Sequence, residues 1–298
     1  MLPGLKVGHA HCPVAMTGVT VLVPDAPVVM GVDVRGGGPG TRETDALEPS
    51  TLVERVHGLV LAGGSVFGLA AADALALELA RRGRGLAIGS GDDALAVPVV
   101  PAAILFDLAN GGDKRWARAG GGDPPYARLA REAFGAAGDI AGEGRLGAGF
   151  GARAGSRAGG IGVASAALDA GGTVWVLMAV NSFGEVLDGE PPSQGPVPMP
   201  KRPGVLPMSA ASTCIGAIMT DVPLTRPAAR RLAMMGHDGL ARCVRPIHTP
   251  FDGDVLFAMS LSPETPAGVA PLLMAELGTL AADCVVRAVR RAVALAAA

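Results

Sequence analysis

Met208-Ser-Ala-Ala-Ser-Thr-Cys-Ile-Gly-Ala-Ile-Met-Thr220 passes from a small, hydroxyl-rich run into an apolar, strand-like segment, Ile215 to Met219. It follows Pro191–Pro207, which carries many prolines and reads as a linker or exposed loop. A Ser212-Thr213 bond at the head of a strand is one that a chain can cut in itself. Thr213 would then become an amino terminus with a nucleophile, its Oγ, and a base, its α-amine, on one residue. Cys214 is an equal contender, because a thiolate is intrinsically the stronger nucleophile. Thr also starts many strands for packing reasons alone. The residues of this stretch leave the choice open.

Outward from it, further elements follow from pattern. Thr17–Val23 and Val28–Val34 are β-branched and read as strands. The short Pro24–Pro27 connection suggests that they form a hairpin. Val56–Leu61 is an apolar run that ends at Gly63-Gly64, and Ser65–Arg82 continues with helical spacing to Gly83. Val97–Leu108 reads as buried extended structure, Asn110–Pro125 as loop and Tyr126–Ala137 as a short helix. Gly142–Gly162 is dense in glycine. Val174–Val180 is a strand that ends at Asn181, and Val255–Ser260 is another. Arg226–Val244 is a helix with Pro227 in its first turn, and Pro271 opens a long amphipathic helix. Strands and helices mix without a strict βαβ rhythm, which predicts a layered α/β or α+β domain over 1–298 rather than a Rossmann fold.

The 298 residues are 49% apolar and 17% charged, enough for a large core and too little charge for disorder. A net charge of −2 and 3% aromatics give no basis for nucleic-acid or membrane-surface binding. Cys12, Cys214, Cys243 and Cys284 form no C-x-x-C pair and read as reduced, cytoplasmic thiols. The amino terminus lacks the pattern of a signal peptide, and no apolar run reaches membrane-spanning length.

Other signals have ordinary readings. Ser65 resembles a nucleophile elbow with its second glycine one place late, and a helix N-cap is the simpler reading. Gly142-Glu-Gly-Arg-Leu-Gly147 has dinucleotide-loop spacing but follows a helix-like segment. His237 and His248, with Asp238 nearby, lack convergent metal-ligand spacing and read as surface or hydrogen-bonded histidines. Asp252-Gly-Asp254 suits a turn, and equally a carboxylate pair that orients an amine or hydroxyl. Asn181 at a strand end suits a turn, and equally a donor to an oxyanion.

Several blocks in order carry a more specific signal. They include Arg35-Gly-Gly-Gly-Pro-Gly-Thr-Arg-Glu-Thr44, Leu61-Ala-Gly-Gly-Ser-Val-Phe-Gly-Leu69, Gly147-Ala-Gly-Phe-Gly-Ala-Arg-Ala-Gly155, Val180-Asn-Ser-Phe-Gly184, Thr213 through Leu224, and Arg245-Pro-Ile-His-Thr-Pro-Phe-Asp-Gly-Asp254. Over nearly its whole length the chain resembles the DmpA-like family of self-processing hydrolases. That family includes L-aminopeptidase/D-esterases, β-peptidyl aminopeptidases and 6-aminohexanoate-oligomer endo-hydrolases.

The resemblance implies an αββα sandwich and cleavage between Ser212 and Thr213 into chains 1–212 and 213–298. It implies Thr213 as nucleophile, Asn181 as an oxyanion or substrate-positioning donor, and Asp252 and Asp254 as orienting carboxylates. Two aspartates there match the nylon-oligomer branch. It further implies a small peptide or amide substrate, no metal or organic cofactor, and a homotetramer. The chain departs from the family pattern at Ser212, at Ala158 (where that branch has Lys, here with Arg157 beside it), and at Phe106, where a family Tyr falls; the single tyrosine is Tyr126. Two alternatives accompany this expectation: an acyltransferase of the ornithine acetyltransferase type, and a relative that no longer processes itself and serves as a binding or scaffold protein.

Overall fold

A computed structural model describes residues 3–189, 197, 212–264 and 268–297. Ten strands build two five-stranded sheets. They are β1 (Leu5–Cys12), β2 (Thr17–Pro24), β3 (Val29–Val34), β4 (Thr41–Arg42), β5 (Leu59–Ala62), β6 (Ala102–Ile104), β7 (Gly160–Ala167), β8 (Thr173–Asn181), β9 (Thr213–Thr220) and β10 (Val255–Ser260). The first sheet runs β1-β2-β5-β6-β4 and the second β7-β8-β9-β10-β3. Helices α1 (Ala70–Ala80) and α2 (Tyr126–Gly135) cover the first; α3 (Arg226–Cys243) and α4 (Pro271–Ala296) cover the second. No helix among the described residues is long and apolar enough to cross a membrane.

Three apolar layers hold this αββα sandwich together. Leu59, Leu61 and Leu105 of the first sheet's side meet Leu177, Ile215, Met219 and Phe257 of the second between the sheets. Val19, Val21 and Val60 pack outward on Leu75, Leu79 and Leu129. Val176, Met178, Ile218 and Leu256 pack outward on Leu232, Leu240, Val285 and Val289. Each such side chain contributes about 1.5–3 kcal/mol on leaving water. Strand alternation sorts the central strand. Ile215, Ala217 and Met219 face the other sheet, whereas Cys214 and Ile218 belong to the helix-facing core.

Two expectations need correction. The Thr17–Val23 and Val28–Val34 strands do not form a hairpin. β2 pairs with β1 and β5, while β3 pairs with β10 in the other sheet. All eight residues of β2 are buried, so it needs a neighbour on each side, and the Leu5–Cys12 segment supplies one. The Pro24–Pro27 connection carries the chain between layers. Nor is Ser65 a helix cap. It stands at φ +53° as the first residue of a 3₁₀ turn, with Gly64 at the cap position, and its N–H donates to the Leu105 carbonyl at 3.0 Å.

The glycine-dense Gly142–Gly162 segment runs into β7, a strand that its composition hides. A Cβ at Gly160 or Gly162 would collide with the backbone of α4 at Ala292 or Ala288. Small residues are there because a helix lies directly on the strand, which removes the β-branched signal. Gly144 and Ile161 exchange two backbone hydrogen bonds of 2.7 and 2.8 Å, so the Gly142–Gly147 run braces this strand. Helix α3 begins as read: Pro227 sits in the first turn and Thr225 accepts from the Ala228 N–H.

Candidate active site

Thr213 opens β9 and stands directly opposite Asn181, the last residue of β8, in the antiparallel ladder. Thr213 shares strand parity with Ile215, and Asn181 with Leu177 and Ala179, so both side chains belong to the face between the sheets. Both are buried. Thr213 Oγ1 donates to the carbonyl oxygen of Ser212 at 2.6 Å. That carbonyl also accepts the Gly253 N–H at 3.0 Å. The Ser212-Thr213 peptide bond therefore lies against its own hydroxyl, with a backbone donor already on its oxygen.

The Asp252-Gly-Asp254 turn is tied to this point. Ser212 bridges Asp252 in parallel register, and its N–H donates to the Phe251 carbonyl at 2.9 Å. Asp252 accepts from Thr249 N and Oγ1 at 2.8 and 2.7 Å and from Phe183 N at 3.3 Å. Asp254 accepts from Cys214 N at 2.7 Å and from His248 Nδ1 at 2.8 Å. Both carboxyls are fully buried. Burial, and then the neighbouring Asp254 charge, push Asp252 up to about 6.

Asn181 is held from three sides. Its Oδ1 accepts from Arg153 N at 2.8 Å and Asn110 Nδ2 at 3.1 Å, and its Nδ2 donates to the Phe106 carbonyl at 3.0 Å. The position where the family has Tyr thus contributes a backbone acceptor here. Tyr126 lies fully buried in α2, with its hydroxyl 3.2 Å from Thr17 Oγ1. Cys214 points into the helix-side core, where burial and then the Asp254 and Asp252 charges raise its thiol.

Three contributors are not evident in the sequence pattern. His248, at φ +54°, pins Asp254, and its ring meets that of buried His237 edge-on at 4.9 Å. His237 in turn lies 3.1 Å from the Asp33 carbonyl, while Asp238 is exposed. Gly253 acts through its N–H. Gly36-Gly-Gly38 forms the wall behind the aspartates: Gly38 N donates to Asp252 O at 2.9 Å, and Gly37 N to Thr249 O at 3.0 Å.

Gly36 stands at φ +89°, and a Cβ there would strike the Asp252 carbonyl, whereas at Gly38 the nearest atom would be 3.8 Å away. In a Thr213→Ala background that keeps one chain, Gly36→Ala is expected to lower unfolding free energy by about 2 kcal/mol or more. Gly38→Ala should leave it within about 0.5 kcal/mol. Denaturant midpoints measure both, and equal midpoints would remove Gly36 from this role.

Beside Asn181 opens a cavity of about 270 Å³ whose lining includes Asn110, Arg145, Arg153, Ser156, Arg157 and Ala158. Among the described residues no group of three or more His, Cys, Asp or Glu side chains is arranged to hold a metal ion.

Comparison with known proteins agrees with this architecture. The profile of Peptidase family S58 matches residues 2–298. An uncharacterised aminopeptidase of Mycobacterium tuberculosis is 42% identical over 322 residues, spanning 96% of this chain and 90% of its own. A 6-aminohexanoate-oligomer endohydrolase of a Kocuria species is 30% identical over 285 residues, spanning 87% and 73%. Among solved structures, the L-aminopeptidase D-Ala-esterase/amidase of Ochrobactrum anthropi superposes with a TM-score of 0.73 at 20% identity, covering 98% of this chain and 84% of its own. A Burkholderia sp. beta-aminopeptidase gives 0.72 at 23%, with the same coverage. The class is a hydrolase of peptide or amide bonds, built on a variant of the Ntn-hydrolase fold. The chain belongs to Peptidase family S58, the DmpA family.

Proposed function

We propose that the chain cuts itself between Ser212 and Thr213 and then hydrolyses small peptides or amides through a Thr213 acyl-enzyme. The observation that carries this is the 2.6 Å contact from Thr213 Oγ1 to the Ser212 carbonyl, with Gly253 N–H on the same oxygen. Oγ attacks the Ser212 carbonyl carbon, the C–N bond breaks, and the hydroxyl proton passes to the departing nitrogen. Water then hydrolyses the resulting ester. This leaves a Ser212 carboxylate and restores the Thr213 hydroxyl, now beside a free α-amine.

In turnover the α-amine takes the Oγ proton. An ordinary α-amine titrates near 7.7–8.0, within reach of neutral pH. Asp252 and Asp254 orient and polarise the Thr213 end of β9, and the Asn181 amide supports the oxyanion of the substrate. The aminopeptidase and nylon-oligomer relatives agree with a small peptide or amide substrate. Denaturing electrophoresis with amino-terminal sequencing of the smaller chain tests the reading: a new terminus at Thr213 supports it. A panel of α- and β-aminoacyl p-nitroanilides and aminohexanoate oligomers then ranks the substrates.

Self-cleavage should depend on pH through the aspartate pair. Burial raises Asp252, so below about pH 6 its carboxyl is neutral and the polarising charge is lost. Freshly synthesised chain is expected to mature more slowly as pH falls from 7 to 5, with an apparent pKa near 6 that belongs to the pair. Asp252→Asn should abolish that inflection. A wild-type rate flat across this range would remove the pair from the step.

A further inference from the structure

The cavity beside Asn181 has a sign that the molecule as a whole lacks. The chain carries 25 Lys and Arg against 27 Asp and Glu, yet Arg145, Arg153 and Arg157 all line this one recess. Two of the three have no carboxylate partner among the described residues. Arg153 is exposed and makes no salt bridge among the described residues. Arg145 lies over the Phe150 ring at 5.7 Å and reaches the Phe150 carbonyl at 3.4 Å, again with no carboxylate partner among the described residues. Arg157 is fixed by the Val186 carbonyl and stands 3.6 Å from Asp188, a side chain 90% exposed. Glu185 accepts from the lining Ser156 N and Oγ at 2.9 and 3.0 Å, which places one carboxylate at the edge of the recess.

The recess shares its wall with the reaction centre. Asn110 lines it and donates to Asn181 Oδ1 at 3.1 Å; Arg153 lines it and its backbone N–H holds the same oxygen at 2.8 Å. Asn181 faces Thr213 across one rung of the ladder. A substrate whose amide carbonyl lies between Asn181 and Thr213 therefore has this basic recess within one side chain of its scissile bond. Guanidinium groups match carboxylates through parallel N–H donors, and they keep their charge at every working pH.

We propose that this recess is a specificity subsite for a carboxylate on the substrate, so that acidic peptides and amides, or short chains with a free terminal carboxylate, are preferred. The inference rests on the hydrolase reading above for its catalytic consequence but not for binding. Its test uses substrates matched in shape and different in charge. Glutamyl against glutaminyl p-nitroanilide places the charge on the acyl side; Ala-Glu against Ala-Gln places it on the leaving side.

At low salt one of the two pairs should favour the acid at least about tenfold in kcat/KM. That preference should shrink at least about fivefold in Arg153→Gln, and in 0.5 M NaCl, as expected of partly exposed charges. Titration of the protein with glutarate against its diamide needs no turnover: glutarate should bind the wild type more tightly, and less tightly after Arg153→Gln. Acid-to-amide ratios of one or below in both pairs, or ratios and glutarate binding unmoved by both Arg153→Gln and Arg145→Gln, overturn the subsite. Glutarate binding that depends on Arg153 in a protein that cleaves none of the substrates leaves the subsite standing and overturns the hydrolase reading instead.

Discussion

Thr213→Ala is expected to keep the chain whole at 29.7 kDa under conditions in which the wild type resolves into 1–212 and 213–298. The hydroxyl removed is the atom that lies 2.6 Å from the Ser212 carbonyl oxygen. Removal of a nucleophile typically costs about 10⁴-fold or more, so the proposed cleavage should vanish on any practical timescale in the variant. Amide hydrolysis should vanish with it.

Thr213→Ser keeps Oγ and should still mature. Cys214→Ala should mature too, because the thiol lies on the opposite face of β9, packed in the helix-side core and raised by burial. Its loss removes only a small apolar group, at about 1 kcal/mol of stability. Intact mass and amino-terminal sequencing read all four proteins. Cleavage of the Thr213→Ala chain at the same bond would falsify the assignment and return Cys214 to consideration.

The choice between Thr213 and Cys214, open in the residues alone, turns on a parity that the sequence does carry. Ile215, Ala217 and Met219 alternate with Cys214, Gly216 and Ile218, and only the layer order says which set faces the other sheet. That order depends on β1 and β7. Leu5–Cys12 interrupts its apolar residues with Lys6, His9 and His11, and Gly160–Ala167 is nearly all small. Both are therefore silent as strands, although the apolar runs of β2, β8 and β10 are legible.

Much of the site is backbone. Gly253 contributes an N–H, Phe106 a carbonyl, and Gly36 a φ of +89° against the Asp252 main chain. Such roles leave no side-chain type to read. The glycine tract after Arg35 was the one visible trace, and its reason, a loop that must touch the aspartate turn, appears only in three dimensions. His248 reads in the sequence as a surface or hydrogen-bonded histidine, and its partner is Asp254.

If Thr213 serves both proposed reactions, the arrangement of donors separates them. In the uncut chain the Ser212 carbonyl takes Gly253 N–H, while the Asn181 amide donates to Phe106 instead. On the proposed reading, self-cleavage has a backbone oxyanion donor that no side-chain substitution removes. A substrate carbonyl arriving after cleavage, by contrast, has the second N–H of Asn181 within the same rung as Thr213. Asn181→Ala is therefore expected to lower kcat for amide hydrolysis by about 10²–10³, the usual cost of one lost oxyanion donor. Self-cleavage should slow by less than about tenfold.

Part of any common loss has a structural source. Alanine leaves Arg153 N without its side-chain acceptor and Asn110 Nδ2 with only the Gly151 carbonyl, at about 1–3 kcal/mol of stability. Asn181→Asp keeps both acceptor contacts but loses the donor and sets a buried carboxylate oxygen against the Phe106 carbonyl, so it should reproduce the turnover defect with a stability cost of a different origin. Maturation half-times and kcat measured on the same preparations decide the matter. Equal slowing of both reactions in both variants would make Asn181 a donor to a single shared oxyanion, and unchanged kcat in Asn181→Asp would remove it from oxyanion support altogether.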